Sequence, residues 1–299
     1  MTGPAASRPG RRAPSTLPAG RAEYRTRSRG ALSRVSGGHI RHTHRVQPLT
    51  VHHWGPPEAP PLLLLHGLSE AGTAWPDAVR RWQQTYRVIA VDLRGHGQSP
   101  RFADDELDRC HELWLADVLD LLPEAGPAPV IVAHSLGGLL ALRAAAAEPR
   151  LVRGLVLEDP AEPTGHTVPD PAYVAHQERF LDSFADGGES GRARMRVESR
   201  WPEDEIDAWA ACKPLVDRRM IRDGLTLGEP VWEPLFDRLT VPTLLMLPAT
   251  SIMAPDETRI ANPLVRFHRV DGVGHCVRRD DPDAYHAVVD PFLADVTSR

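Results

Sequence analysis

The sequence predicts an α/β architecture: a mainly parallel sheet flanked by helices, with a helical cap inserted late in the chain. Three observations carry that prediction. Strand-length apolar runs alternate with segments of helical periodicity, the pattern of parallel strands joined by crossover helices. The runs are apolar throughout rather than at alternate positions, so both faces of the strands are expected to be covered. The alternation then fails over residues 161–239, where helical stretches and many charges occur without a buried strand, and resumes afterwards.

Residues 1–38 are rich in Arg, Ala, Pro, Ser and Gly, with Glu23 the only acid, and they read as a disordered basic tail. They lack the apolar stretch of a secretory signal. Residues 39–53 alternate loosely and suit an antiparallel hairpin arm. A Gly- and Pro-rich turn at 55–61 precedes the first buried strand, 62–65, which ends at His66-Gly67. A helix over 75–84 leads to a second strand over 86–92. Residues 107–122 place Leu107, Leu113, Trp114, Val118, Leu121 and Leu122 at helical spacing. A third strand, 129–133, runs into an Ala/Leu-rich helix, 136–147, stopped at Pro149, which lacks an amide. Further strands follow at 152–157, 241–247 and 264–270, and a last helix at 283–295. The core is therefore expected over 39–160 and 240–299, with the cap at 161–239.

A chain of 299 residues suits one domain carrying such an insertion. The formal net charge of -5 is too mild to imply a nucleic-acid partner. Cys110, Cys212 and Cys276 are far apart and form no CxxC or Cys/His pair. That argues against zinc and against a disulfide framework and suits a reducing cytoplasm. No apolar run approaches the ~20 residues that cross a bilayer, so no membrane partner is expected.

Chemistry in such a sheet belongs where parallel strands stop. The stretch Val130-Ile131-Val132-Ala133-His134-Ser135-Leu136-Gly137-Gly138 reads as strand, serine between small residues, helix. This is the pattern of a nucleophile elbow, Gly-x-Ser-x-Gly, with Ala133 in place of the first glycine. The bend leaves no room for large side chains two positions either side of the serine. It would lift the Ser135 hydroxyl above the sheet at a helix N-terminus, where the Leu136 amide faces a developing oxyanion.

Three further stretches stand in order along the chain: His66-Gly67-Leu68 after the first buried strand, Asp92-Leu93-Arg94-Gly95-His96-Gly97-Gln98-Ser99 after the second, and Gly274-His275-Cys276 after the last. Together with the elbow they make residues 39–299 resemble the α/β-hydrolase superfamily, with the tail at 1–38 outside the resemblance. The resemblance implies the α/β-hydrolase fold, Ser135 as nucleophile, His275 as general base, and the backbone amides of Leu68 and Leu136 as oxyanion donors. The Asp92–Ser99 stretch is read as structural, shaping a loop beside the site.

The acid departs from the pattern. In most relatives an Asp follows the strand equivalent to 241–247, and here that position is Ser251, which supplies no charge. Some superfamily members place the acid after the strand preceding the cap, which points to Asp159 in Glu158-Asp159-Pro160. The alternatives are Asp256 or Glu257, reached by lengthening the loop after 241–247, and Glu158 itself.

The resemblance implies acyl transfer without metal or organic cofactor, on a small-molecule ester or lactone. A serine at position 135 argues against relatives that form alkyl-enzyme esters on a carboxylate. Rival readings are a ligand-binding or regulatory hydrolase-fold protein with weak catalysis, and a cofactor-free haloperoxidase or C–C hydrolase using the same residues. The sequence leaves open whether the chain forms an oligomer. Trp75, Trp114, Phe180, Phe184, Trp201, Trp209 and Trp232 are candidate pocket walls, with core packing the preferred role. The cap charges Arg192, Arg194, Arg196, Glu198, Arg200, Glu203, Asp204 and Glu205 are expected to form a solvated face.

Overall fold

The computed structural model describes residues 21–22, 48–163 and 170–298. An eight-stranded sheet forms its centre: β1 (Arg21–Ala22), β2 (Val51–Trp54), β3 (Pro61–Leu65), β4 (Arg87–Val91), β5 (Val130–His134), β6 (Gly154–Glu158), β7 (Thr243–Pro248) and β8 (Val265–Val270), in the order β1-β2-β4-β3-β5-β6-β7-β8. Neighbouring strands from β4 and β3 through β8 pair in parallel, while β2 is antiparallel to β4 and to β1.

Most of the anticipated tail and the 39–47 part of the anticipated hairpin lie outside the described residues. Within that tail Arg21 and Ala22 pair with His53 and His52.

The apolar runs behave as two-faced strands. Leu63, Leu65, Ile89, Ile131, Leu155 and Leu245 pack on one side against α2 (Cys110–Ala125) and α3 (Leu136–Ala147), through Trp114, Val118, Leu139 and Leu142. Their alternates Leu62, Leu64, Val88, Val130, Val156 and Leu244 pack on the other against α1 (Pro76–Trp82) and the C-terminal helix, through Val79, Trp82, Tyr285, Val289 and Leu293. Successive side chains point to opposite faces, so a strand covered on both sides must be apolar at every position. Leu62 to Leu65 are all fully buried, each contributing about 1.5–3 kcal/mol.

Element edges shift where backbone chemistry intervenes. β7 starts at Thr243 rather than 241, because Pro242 offers its carbonyl to Leu155 (2.9 Å) but has no amide to return. The helix expected from 107 begins as a 3₁₀ turn, Asp104–Arg109, and becomes α-helical at Cys110.

Between β6 and β7 the chain forms α4 (Pro171–Asp182), α5 (Glu189–Glu198), α6 (Glu203–Cys212) and α7 (Glu233–Asp237). Phe184, Trp209 and Ala210, with Phe180 and Trp201 against them, give this segment a small core of its own. The C-terminal elements are α8 (Val277–Asp280) and α9 (Pro282–Ser298). The segment before β7 rests on loops that leave the carboxyl ends of β3, β4 and β8, through Lys213 to Ser69, Asp217 to Gly95 and Trp201 to Asp280. Among the described residues no helix is long and apolar enough to cross a membrane.

Candidate active site

Ser135 stands on the bend between β5 and α3 with φ 51° and ψ -115°, a region that side-chain-bearing residues rarely adopt. Four backbone bonds fix the bend: Ser135 N–H to Glu158 O (3.0 Å), Gly137 N–H to His66 O (3.1 Å), Leu139 N–H to Ser135 O (3.1 Å) and Ala161 N–H to Ser135 O (2.9 Å). The need for a small residue after the serine has a specific cause. A Cβ at Gly137 would stand 2.3 Å from the Leu65 carbonyl oxygen, backbone in the middle of the sheet that cannot yield. Leu136 is the first residue of α3, so its amide lies in the helix's unbonded first turn.

The His66-Gly67-Leu68 segment lies against this bend, since a Cβ on Gly67 would come within 3.2 Å of Ser135 Cβ. His66 is buried and acts as a brace. Its Nε2 accepts from Leu93 N–H (3.0 Å), which leaves Nδ1–H to donate to Gly67 O (2.7 Å). Burial lowers its pKa and keeps it neutral. The chain then turns over 67–70, closed by Glu70 N–H to Gly67 O (3.2 Å), with Ser69 at φ 62°.

His275 lies in the loop between β8 and α8. Its Nδ1 is 2.6 Å from Asp159 Oδ2, which puts the ring proton on Nδ1 and leaves a lone pair on Nε2. The ring packs on His134, next to the nucleophile candidate, with centroids 4.6 Å apart, and His134 Nε2 donates to His275 O (3.2 Å). Burial depresses the His134 pKa, against the pull of the nearby Glu158 carboxylate. Asp159 is 3% exposed, and its other oxygen, Oδ1, accepts from Ser251 Oγ at 2.5 Å.

The structure thus brings Ser135, His275, Asp159 and the Leu68 and Leu136 turns to one end of the sheet. It commits the alternative acids to other partners. Asp256 caps a short turn by accepting from Thr258 N–H and Oγ–H (3.0 and 2.7 Å), and Glu257 accepts from Arg269 Nε (2.8 Å). Glu158 is fully buried and spent on Arg278, accepting from its amide (2.7 Å) and its Nη1 (2.5 Å). The Asp92 stretch is structural: its carboxylate takes Gly72 N–H, Gln98 N–H (both 2.8 Å) and His52 Nε2 (3.1 Å). The Cys276 thiol is pushed up to about 12, burial outweighing the nearby Arg279. Of the aromatic wall candidates, Trp75, Trp114, Phe184, Trp209 and Trp232 are buried packing residues.

One feature was not legible in the sequence. Arg278 and Arg279, just after His275, are buried with Glu70, Glu158 and Glu205. Arg279 Nη1 bonds Glu70 Oε1 (2.5 Å) and its Nε bonds Glu205 Oε2 (2.8 Å), so Glu205 belongs to this interface and not to the solvated face expected for it. Burial pushes the Glu70 carboxyl up, but Arg279, His134 and Arg278 together hold it well below the usual carboxylate range. The pairing ties the turn after β3, the end of β6 and α8 to α6. No sequence rule pairs residues so distant; only charges flanking motif positions could have hinted at it. Among the described residues no His, Cys, Asp and Glu cluster could hold a metal ion.

Comparison with known proteins adds a family and a fold. The model of a family described as "Alpha/beta hydrolase family" matches residues 62–288. The chain is 28% identical over 266 residues to pimeloyl-[acyl-carrier protein] methyl ester esterase of Aeromonas hydrophila subsp. hydrophila, covering 79% of this chain and 96% of that one. It is 39% identical over 114 residues to lipase LipV of Mycobacterium tuberculosis, covering 38% of this chain and 42% of the lipase. It is 34% identical over 99 residues to epoxide hydrolase 4 of Mus musculus, covering 33% and 27%. The chain therefore spans less than half the length of the lipase and of the epoxide hydrolase. Among solved structures, a putative aryl esterase from Burkholderia cenocepacia superposes with TM-score 0.64 at 23% identity, over 84% of this chain and 96% of that one. N-acyl homoserine lactonase AidH superposes with TM-score 0.62 at 22% identity, over 84% and 94%.

Proposed function

The chain belongs to the alpha/beta hydrolase family, and from that premise we propose that it is a serine hydrolase opening carboxylic esters or lactones through an acyl-enzyme. In this mechanism His275 Nε2 takes the proton of Ser135 Oγ as the oxygen attacks the substrate carbonyl. The Leu68 and Leu136 amides receive the oxyanion, and Asp159 stabilises the imidazolium across Nδ1–H. Collapse breaks the acyl–oxygen bond as His275 returns the proton to the leaving alkoxide. Water then repeats the cycle on the acyl-enzyme, releasing the acid and regenerating Ser135. With a lactone, the leaving oxygen stays tethered to the acyl group.

The observation that carries this reading is the 2.6 Å contact between His275 Nδ1 and Asp159 Oδ2, in a chain whose serine occupies the strained bend of an elbow. Asp159 there supplies the carboxylate whose absence after β7 motivates the ligand-binding alternative. The esterase and lactonase among the similar proteins support the substrate class. Ser135, rather than a carboxylate, sets the proposed chemistry apart from epoxide opening despite the match to a protein of that name.

The test is covalent. A fluorophosphonate is expected to add one phosphonyl group to the wild-type chain by intact mass and none to Ser135→Ala, with p-nitrophenyl acetate turnover lost in parallel and Tm unchanged. A folded wild-type chain that stays unlabelled, or a Ser135→Ala chain that still turns over, would remove the assignment.

A further inference from the structure

Lys213 is an ammonium placed where water does not reach. It follows α6 in the turn Lys213–Leu215, is 2% exposed, and donates from Nζ to the carbonyl oxygen of Ser69 at 3.0 Å. Nζ lies 4.7 Å from the centre of the Trp209 ring and 5.8 Å from that of Phe180, whose negative faces offset part of its lost hydration. Burial lowers the hold of Lys213 on its proton, and the Glu70 carboxylate works against that. A buried charge committed to one peptide carbonyl is expensive unless that carbonyl matters.

The carbonyl belongs to the left-handed residue of the 67–70 turn. Ser69 has φ 62° without being glycine, so its conformation has to be imposed by contacts. The turn is gripped from two sides. Lys213 holds Ser69 from the segment between β6 and β7, and Arg279 holds the Glu70 side chain (2.5 Å) from the turn after His275. Leu68 lies between Gly67, braced by His66, and the gripped pair.

We propose that Lys213 is a positioning residue that fixes the Ser69 turn and so presents the Leu68 amide to the developing oxyanion, making seating of the cap and assembly of the oxyanion site one event. This rests on the reading of Leu68 as an oxyanion donor. A group acting this way stabilises the transition state more than the bound substrate, so its removal lowers kcat rather than raising KM.

The experiment uses the full chain, p-nitrophenyl acetate turnover, and inhibition by phenylboronic acid, which forms a tetrahedral adduct with an active-site serine. Lys213→Met is expected to lower kcat about tenfold to a hundredfold, to leave KM within about twofold, and to weaken phenylboronic acid by the same factor as kcat. Lys213→Arg restores most of the rate. Ser69→Gly, placed in the Lys213→Met chain, also recovers turnover, because glycine adopts the left-handed turn without being held. A residue needed only for folding would not be rescued from position 69. The proposal is overturned by a Lys213→Met chain with undiminished kcat, by a rise in KM alone, or by a double variant no faster than Lys213→Met. Should Lys213→Met not fold, Lys213→Gln undergoes the same comparisons, and full kcat there overturns it equally. Loss of Ser135 dependence in the wild-type chain would overturn the underlying reading as well, whereas a Ser135-dependent enzyme indifferent to Lys213 would overturn this inference alone.

Discussion

Asp159 sits at φ 37°, a conformation a residue with a side chain keeps only when held from several directions. Its amide donates to Met246 O (2.9 Å), Oδ1 accepts from Ser251, and Oδ2 faces His275. Ser251, at the position where the resemblance leads one to expect the acid, instead donates its hydroxyl to Asp159. With Asp159 as the acid, Asp159→Asn keeps the shape but cannot stabilise the imidazolium. Its kcat is expected to fall by about 10³- to 10⁴-fold, with KM little changed, in steady-state ester hydrolysis. A normal rate would return the role to Asp256 or Glu257, which the structure commits elsewhere. At this scale the sequence was readable where one residue has one demanding neighbour: the serine on its bend and the histidine after the last strand. It did not reveal that Ser251 bonds Asp159, because a hydroxyl that donates to a carboxylate has no spacing signature.

At the scale of elements, the elbow is a packing problem between α3 and β3. Gly137 lies over the Leu65 carbonyl, and Leu65 is fully buried. Gly137→Ala is therefore expected to lower stability by about 1–3 kcal/mol in urea titration, with esterase activity falling because the bend shifts. A variant as stable as the wild type would show that helix and strand are not closed against each other there. Element types were legible because fully apolar runs and helical periodicity are local signals. Their ends were less so, since Pro242 and the 3₁₀ turn before α2 act through hydrogen bonding that periodicity does not record. The buried pairing of Arg279 with Glu70 and Glu205 was illegible for a different reason. Charge alone does not say whether a residue faces water or a partner more than 70 positions away.

At the scale of the molecule, pH acts through groups whose charge burial disfavours. His66, His96 and His134 are all buried, and burial depresses each below the ordinary value of 6.5. The unfolded chain then binds protons more readily than the folded one, so their contribution to stability is complete above about pH 6.5 and is lost as pH falls. Glu70 acts in the same direction at lower pH. Its depressed pKa gives stability that is present above the ordinary carboxylate value and lost as pH drops through its folded one. Calorimetry from about pH 8 to about pH 5 is expected to show a level Tm that starts to decline below about pH 6.5. A flat Tm across that range would mean that these imidazoles take up protons in place.

The Ser251–Asp159 bond has a consequence for how this scaffold can change. With the acid just after β6, as proposed, the segment after β7 gives a single hydroxyl to the chemistry. Its neighbour Ile252 is 94% exposed. Diversity introduced by a mutagenesis library at 252–255, the residues that follow Ser251, would leave the proposed proton-transfer partners in place. Selection for new substrates should find its first gains there, because loops on a rigid scaffold accept variation that strands do not.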